Sequence, residues 1–334
     1  MSAEPDKQVD SDSPTEEATT PKRKRTRWYV RIPIHAAIIY TAWCATLYFA
    51  QDKLLFPADM APEPYPGEKY DLSTVVLKRP IDGGDAVAWF IPPLAAFQGK
   101  PAPLVLFCHG NAEIIDDQSR IIVGYQQLGF AVLLPEYRGY GRSAGSPSER
   151  GIVEDAVWFF DQSLSRPEID AGRIVIHGRS LGGGVAAGLA DQRRPSAMVL
   201  ESTFTSAAAM ARKYFAPQFL VKNPLHVDTV LESLDVPVLL MHGSHDSIIP
   251  VAHGRALRDL ATRVTYVEYD CNHNDFPGDG NDEAYWKAIG DFLVASGGIT
   301  EIPAPPRMRG RPRFPYAETA TSAAGDRARS DSPS

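Results

Sequence analysis

The feature that most limits how this chain can fold is a series of short, unbroken apolar runs separated by stretches of helical periodicity. The runs are VAWFIP (87–92), LVLFCHG (104–110), FAVLLPEY (130–137), RIVIHGRS (173–180), SAMVLES (196–202), VPVLLMHG (236–243) and VTYVEYD (264–270). Most lack the apolar–polar alternation of a half-exposed strand, so they fit parallel strands buried on both faces. Helical spacing is predicted for 115–128, 148–164, 181–192, 251–261 and 283–295. Strand, helix and strand in repetition make an α/β protein with a mostly parallel, doubly wound sheet. One pair departs from this pattern. LSTVVL (72–77) precedes VAWFIP across the turn-like DGGD (82–85) and is expected to pair with it as an antiparallel hairpin at the sheet edge.

The ends of the chain have a different character. Residues 1–21 hold Pro, Ser, Thr, Asp and Glu with almost no large apolar side chain, too little to offset the entropy of ordering. Region 1–31 is expected as a disordered tail, acidic and then basic, and 303–334 as a second disordered tail rich in Pro and Arg. Lys22, Arg23, Lys24, Arg25, Arg27 and Arg31 lead into IPIHAAIIYTAWCATLYFA (32–50), whose one ionisable side chain of the acidic or basic types is His35. At about 1.5 Å per residue this stretch is close to the ~30 Å hydrocarbon thickness of a bilayer. Trp28, Tyr29, Tyr48 and Phe49 suit the two interfaces, and the basic cluster favours the cytoplasmic side. A single-pass anchor is therefore expected at 32–50, with the N-terminus cytoplasmic and the remainder outside the cytoplasm. A cleavable signal peptide shares the basic start, but its A-x-A-like site would read YFA here, with bulky Tyr48 three residues before the cut. Residues 51–302 show no internal repeat and read as one folded unit.

The chemistry is expected outside the carboxyl ends of the strands. RIVIH runs into GRSLG (178–182) and then into the small-residue helix GGGVAAGLA, which is the strand–turn–helix context of a GxSxG nucleophile elbow centred on Ser180. Serine needs an imidazole to take its proton, and the imidazole needs a carboxylate to fix its tautomer. Of eight histidines, His273 in the loop CNHND after the last strand occupies the position left for the base. Asp246, after VPVLLMHG, is the expected acid, with Glu201 at the end of the preceding strand as the alternative. The oxyanion donors are expected to be the backbone N–H groups of Leu181, next to the nucleophile, and Asn111, in the turn HGNAE.

In order along the chain, HGNAE, YRGYGRSAGSPSE (137–149), HGRSLGGG, LESTF, HGSHDSIIP and CNHND resemble the membrane-associated Bem46-like α/β-hydrolases, over about residues 40–297. YFAQDKLLFPA resembles that family's entry segment. The resemblance implies an α/β-hydrolase fold with a short lid at about 204–234, in which Met210, Tyr214, Phe215, Phe219 and Leu220 could line an acyl pocket. It also implies hydrolysis of carboxylic esters or thioesters, with a small-molecule or lipid-linked acyl substrate. A peptidase or acyltransferase with the same residues, and a membrane scaffold with a silent site, remain alternatives.

The formal net charge of −7 argues against a general nucleic-acid surface. Cys44, Cys108 and Cys271 have neither metal-ligand nor redox spacing, so no metal, disulfide or cofactor is expected.

Overall fold

The computed structural model describes residues 28–65, 74–94, 97 and 99–303. The segments expected as tails lie almost wholly outside these residues, as do the basic residues Lys22 to Arg27. Eight strands form one sheet: β1 (Val75–Ile81), β2 (Gly84–Ile91), β3 (Ala102–Cys108), β4 (Ala131–Pro135), β5 (Ile169–Arg179), β6 (Ala197–Glu201), β7 (Val238–Gly243) and β8 (Val264–Tyr269). Their order is β1-β2-β4-β3-β5-β6-β7-β8. β1 and β2 pair antiparallel across the turn between Ile81 and Gly84, and β2 pairs antiparallel with β4. From β4 onward every pairing is parallel.

The unalternating runs behave as their pattern implies. Successive residues of β3 serve opposite faces of the sheet: Leu104 and Leu106 enter one core cluster, Val105 and Phe107 the other. Helices cover both faces: α2 (Ser119–Gln127), α3 (Glu149–Leu164), α4 (Leu181–Gln192), α6 (Val227–Ser233), α7 (Ala252–Leu260) and α8 (Asp282–Ala295). α3 begins at an N-cap, Ser148, whose Oγ accepts from the Gly151 N–H. The segment expected as a lid contains the single-turn α5 (Ala207–Met210), two short 3₁₀ turns and α6.

Several boundaries differ from the sequence expectation: β1 runs on to Ile81 rather than ending at Leu77, α2 begins at Ser119 rather than 115, and two further differences have a clear cause or consequence. β5 starts at Ile169, four residues early, because Ile169 pairs with Ala102 across a register shift. IDAG looks like a turn in isolation, and pairing to a neighbouring strand overrides that local preference. The apolar N-terminal helix α1 spans Trp28–Leu55, well beyond 32–50 at both ends. At about 1.5 Å per residue it is roughly 40 Å long, and none of its residues is buried. It is long and apolar enough to cross a membrane. The described residues divide into two compact units between Trp43 and Cys44. The first holds α1 up to Trp43, with Ile32, Ile34, Ile38, Ile39 and Tyr40 exposed. The second holds the last turns of α1 and the whole sheet.

Candidate active site

β5 delivers Ser180 to the carboxyl edge of the sheet, where α4 begins on the next residue. Ser180 has φ 53° and ψ −117°, a backbone region that costs a non-glycine residue on the order of 1–3 kcal/mol. The surrounding structure holds it there. The Ser180 N–H donates to the Glu201 carbonyl at 2.9 Å, and the Ser180 carbonyl accepts from the Thr203 hydroxyl at 2.8 Å and from the Gly183 N–H at 3.0 Å. Glycine is required on both sides of the turn. A Cβ on Gly178 would stand 2.5 Å from the Gly182 carbonyl oxygen, and one on Gly182 would collide with the carbonyl of Cys108 at the end of β3.

Three side chains from three strand ends meet at this edge. His273 Nε2 lies 2.9 Å from Ser180 Oγ, and His273 Nδ1 lies 2.6 Å from Asp246 Oδ2. With Nδ1 protonated, His273 donates to the carboxylate and leaves the Nε2 lone pair facing the serine hydroxyl. The other oxygen of Asp246 accepts from the Ile248 and Ile249 N–H groups at 2.9 and 2.7 Å. Burial opposes charge on Asp246, but the hydrogen bonds from His273 and Ile249 prevail and hold its carboxyl below its ordinary value. All three residues are buried. Such a chain can take a proton from a hydroxyl, store it on an imidazole and return it to a leaving group.

The loop carrying His273 has no glycine in CNHND and is shaped by side chains. Asn272 Oδ1 accepts from the His273 N–H at 2.7 Å and from both the N–H and the hydroxyl of Ser247 at 3.0 Å, tying this loop to the one that carries Asp246. Asp275 accepts from the Asn272 N–H at 2.7 Å. His242 also approaches Asp246, at 3.5 Å, while its Nε2 hydrogen-bonds the Ile249 carbonyl. Asn272 and Thr203 lie inside the motifs CNHND and LESTF, but nothing in the sequence alone gives either a role at the site.

Glu201, the alternative acid, faces elsewhere. Its carboxylate lies 3.7 Å from His177 Nε2 and 3.7 Å from Arg179 Nε, beneath the sheet edge. Burial raises its pKa, yet His177, Arg179 and Arg120 outweigh burial and bring it down to about 2. The structure therefore brings Asp246, and not Glu201, to His273.

The turn after β3 carries Asn111, and the start of α4 carries Leu181, to the same cleft; as the first residue of a helix, Leu181 has an N–H with no partner inside that helix. Glu113 braces this turn: it accepts from the Gly110 N–H at 3.0 Å and from Arg179, the residue before the serine, at 2.8 Å. Asn111 and Leu181 both line the cleft that holds Ser180, and backbone N–H groups at such a place can stabilise an oxyanion as it forms.

A cleft of about 670 Å³ opens over Ser180 and His273. Met210, Tyr214 and Leu220 from the expected lid line it, as the sequence suggested, whereas Phe215 and Phe219 are outside the lining and strongly exposed.

The sequence profile of the α/β-hydrolase fold matches residues 103–220. WAV2 of Arabidopsis thaliana, an α/β-hydrolase domain-containing protein, is 34% identical over 236 residues, covering 64% of this chain and 75% of WAV2. The chain belongs to the α/β-hydrolase family. Protein bem46 of Schizosaccharomyces pombe is 34% identical over 205 residues, covering 58% of this chain and 67% of that protein. Among solved structures, a Pyrococcus furiosus esterase superposes with a TM-score of 0.57 at 20% identity, covering 71% of this chain and 97% of the esterase. At that identity the likeness is one of fold. In this α/β-hydrolase the mostly parallel sheet, the antiparallel entry hairpin and the family resemblance read from the motifs all agree with the comparisons.

Proposed function

We propose that this α/β-hydrolase is a serine hydrolase that cleaves carboxylic esters or thioesters through an acyl-enzyme. Ser180 attacks the acyl carbon while His273 takes its proton; Asp246 fixes the imidazole tautomer and stabilises the imidazolium. The oxyanion is held by the N–H groups of Asn111 and Leu181. His273 then gives its proton to the departing alcohol or thiol, and water repeats the sequence to release the acid. The observation that carries this reading is the unbroken Ser180–His273–Asp246 hydrogen-bond chain at a strained serine.

The test is labelling of the full chain with a fluorophosphonate, which reacts with activated serines. One adduct per chain is expected, on the peptide containing Ser180. A folded sample that stays unlabelled, or labels on another serine, overturns the assignment.

The same proposal places the enzyme on a bilayer through α1, with the N-terminus cytoplasmic and the catalytic domain outside. The uncleaved state is supported by bulky Tyr48, three residues before the point where a signal peptide would be cut. After an alkaline wash the full chain is expected to remain with the membrane fraction, and protease added to intact spheroplasts is expected to digest the catalytic domain. Quantitative release by the wash rejects the anchor, and protection from protease rejects the orientation.

A further inference from the structure

Not all of α1 is alike. In its last three turns Cys44, Leu47, Ala50, Gln51, Asp52 and Leu55 are half-buried, while Ala45, Thr46, Phe49 and Leu54 are exposed. Spacings of three, four and four residues put Cys44, Leu47, Gln51 and Leu55 on one helical face, with Ala50 and Asp52 flanking it on either side. That face lines the cleft above Ser180, with Tyr48 and Leu54 at its margins.

The contact is specific rather than incidental. Gln51 Nε2 donates to the Leu220 carbonyl at 3.1 Å, and Gln51 Oε1 accepts from the Lys222 N–H at 2.7 Å. Asp52 accepts from Lys222 Nζ at 3.0 Å and from Asn223 Nδ2 at 2.9 Å, and the Lys222 ammonium sits 4.7 Å from the centre of the Tyr48 ring. These polar links seat the helix against the segment that carries Leu220, and they leave Leu47 and Leu55 facing the cleft beside Leu220 and Met210.

We propose that Cys44–Leu55 of α1 is a wall of the acyl-binding cleft and sets specificity for esters of long hydrocarbon chains. This rests on the serine-hydrolase reading of the same site. A small polar acyl group would leave the leucine-lined space unfilled, whereas a long chain extending from the Ser180 carbonyl position buries methylenes against Leu47 and Leu55. Each methylene removed from water strengthens binding about fourfold. The chain is thus selected by the same helix that is apolar enough to enter a membrane.

The experiment measures kcat/KM of the full-length protein in detergent micelles for a p-nitrophenyl ester series from acetyl to palmitoyl, held below micellar saturation. It compares the unsubstituted protein with Leu47→Trp and Leu47→Ala. A rise of about threefold or more per methylene over part of the series is expected for the unsubstituted protein. Leu47→Trp fills the cleft and is expected to lower the ratio of long-chain to short-chain kcat/KM at least tenfold. Leu47→Ala removes bulk, avoids overpacking, and is expected to move the preferred length upward by two or more carbons. Fluorophosphonate labelling of Ser180 is followed in the same samples. Intact labelling and turnover with a length profile that neither substitution alters overturn the role of α1 and leave the serine assignment standing. Absence of labelling and turnover in the unsubstituted protein overturns the serine assignment and this proposal with it.

Discussion

Ser180→Ala is expected to lower kcat for ester hydrolysis by on the order of a millionfold, with no more than a small change in melting temperature. The size follows from the division of labour at the site. On the proposed mechanism, loss of the Oγ removes the covalent intermediate, and the N–H groups assigned to the oxyanion, those of Asn111 and Leu181, would assist only attack by water, leaving a residual acceleration of about 10³–10⁴ over the uncatalysed reaction. His273→Ala is expected to cost nearly as much, and the double variant little more than either, because the two residues act as one unit. Steady-state kinetics on purified full-length variants, with active-site titration to exclude contaminating hydrolase, checks both statements. Additive losses in the double variant would mean that the 2.9 Å contact between Ser180 Oγ and His273 Nε2 is not a catalytic one.

The second large effect is expected for Asp246→Asn, a loss in kcat of about 10⁴-fold with nearly unchanged packing. An amide can donate to His273 Nδ1 where the carboxylate accepts, so the imidazole would carry its proton on Nε2 and present no lone pair to the serine. Because hydrogen bonds from His273 and Ile249 hold the Asp246 carboxyl below its ordinary value, the carboxylate is charged throughout the neutral range. The loss should therefore not be recovered by raising the pH. Glu201→Gln serves as the comparison. It removes the partner of His177 and Arg179, so it is expected to lower stability with a far smaller effect on kcat. If instead Glu201→Gln abolished turnover and Asp246→Asn did not, the acid would have been assigned to the wrong strand end.

Much of this was legible from sequence, for identifiable reasons. Parallel strands buried on both faces advertise themselves as unbroken apolar runs, so all eight strands were located, with errors only at their ends. Ser180 was legible because its requirement is local: a strand, two glycines that admit the close approach of neighbouring carbonyls, and a helix follow one another within a few residues. Other features were not legible because they rest on residues distant in the chain. Asn272 looks like an ordinary loop residue until Ser247 is brought beside it, and Thr203 until its hydroxyl reaches the Ser180 carbonyl. The start of β5 was misjudged because IDAG, with its Asp and Gly, is turn-like in isolation and pairs with β3 only once Ile169 meets Ala102.

By itself the sequence determined the doubly wound sheet, the position of the elbow and the presence of an apolar N-terminal helix, since each depends on periodicity or on steric limits within one element. Only the tertiary structure decided which carboxylate meets His273, because Asp246 and Glu201 both end strands and the outcome depends on how the next loop turns its N–H groups. It alone also decided that the last turns of α1 line the cleft. A helix that is apolar nearly all round carries little amphipathic signal, and which face is covered is chosen by the partner across from it: here Leu220, Lys222 and Asn223, about 170 residues further along the chain.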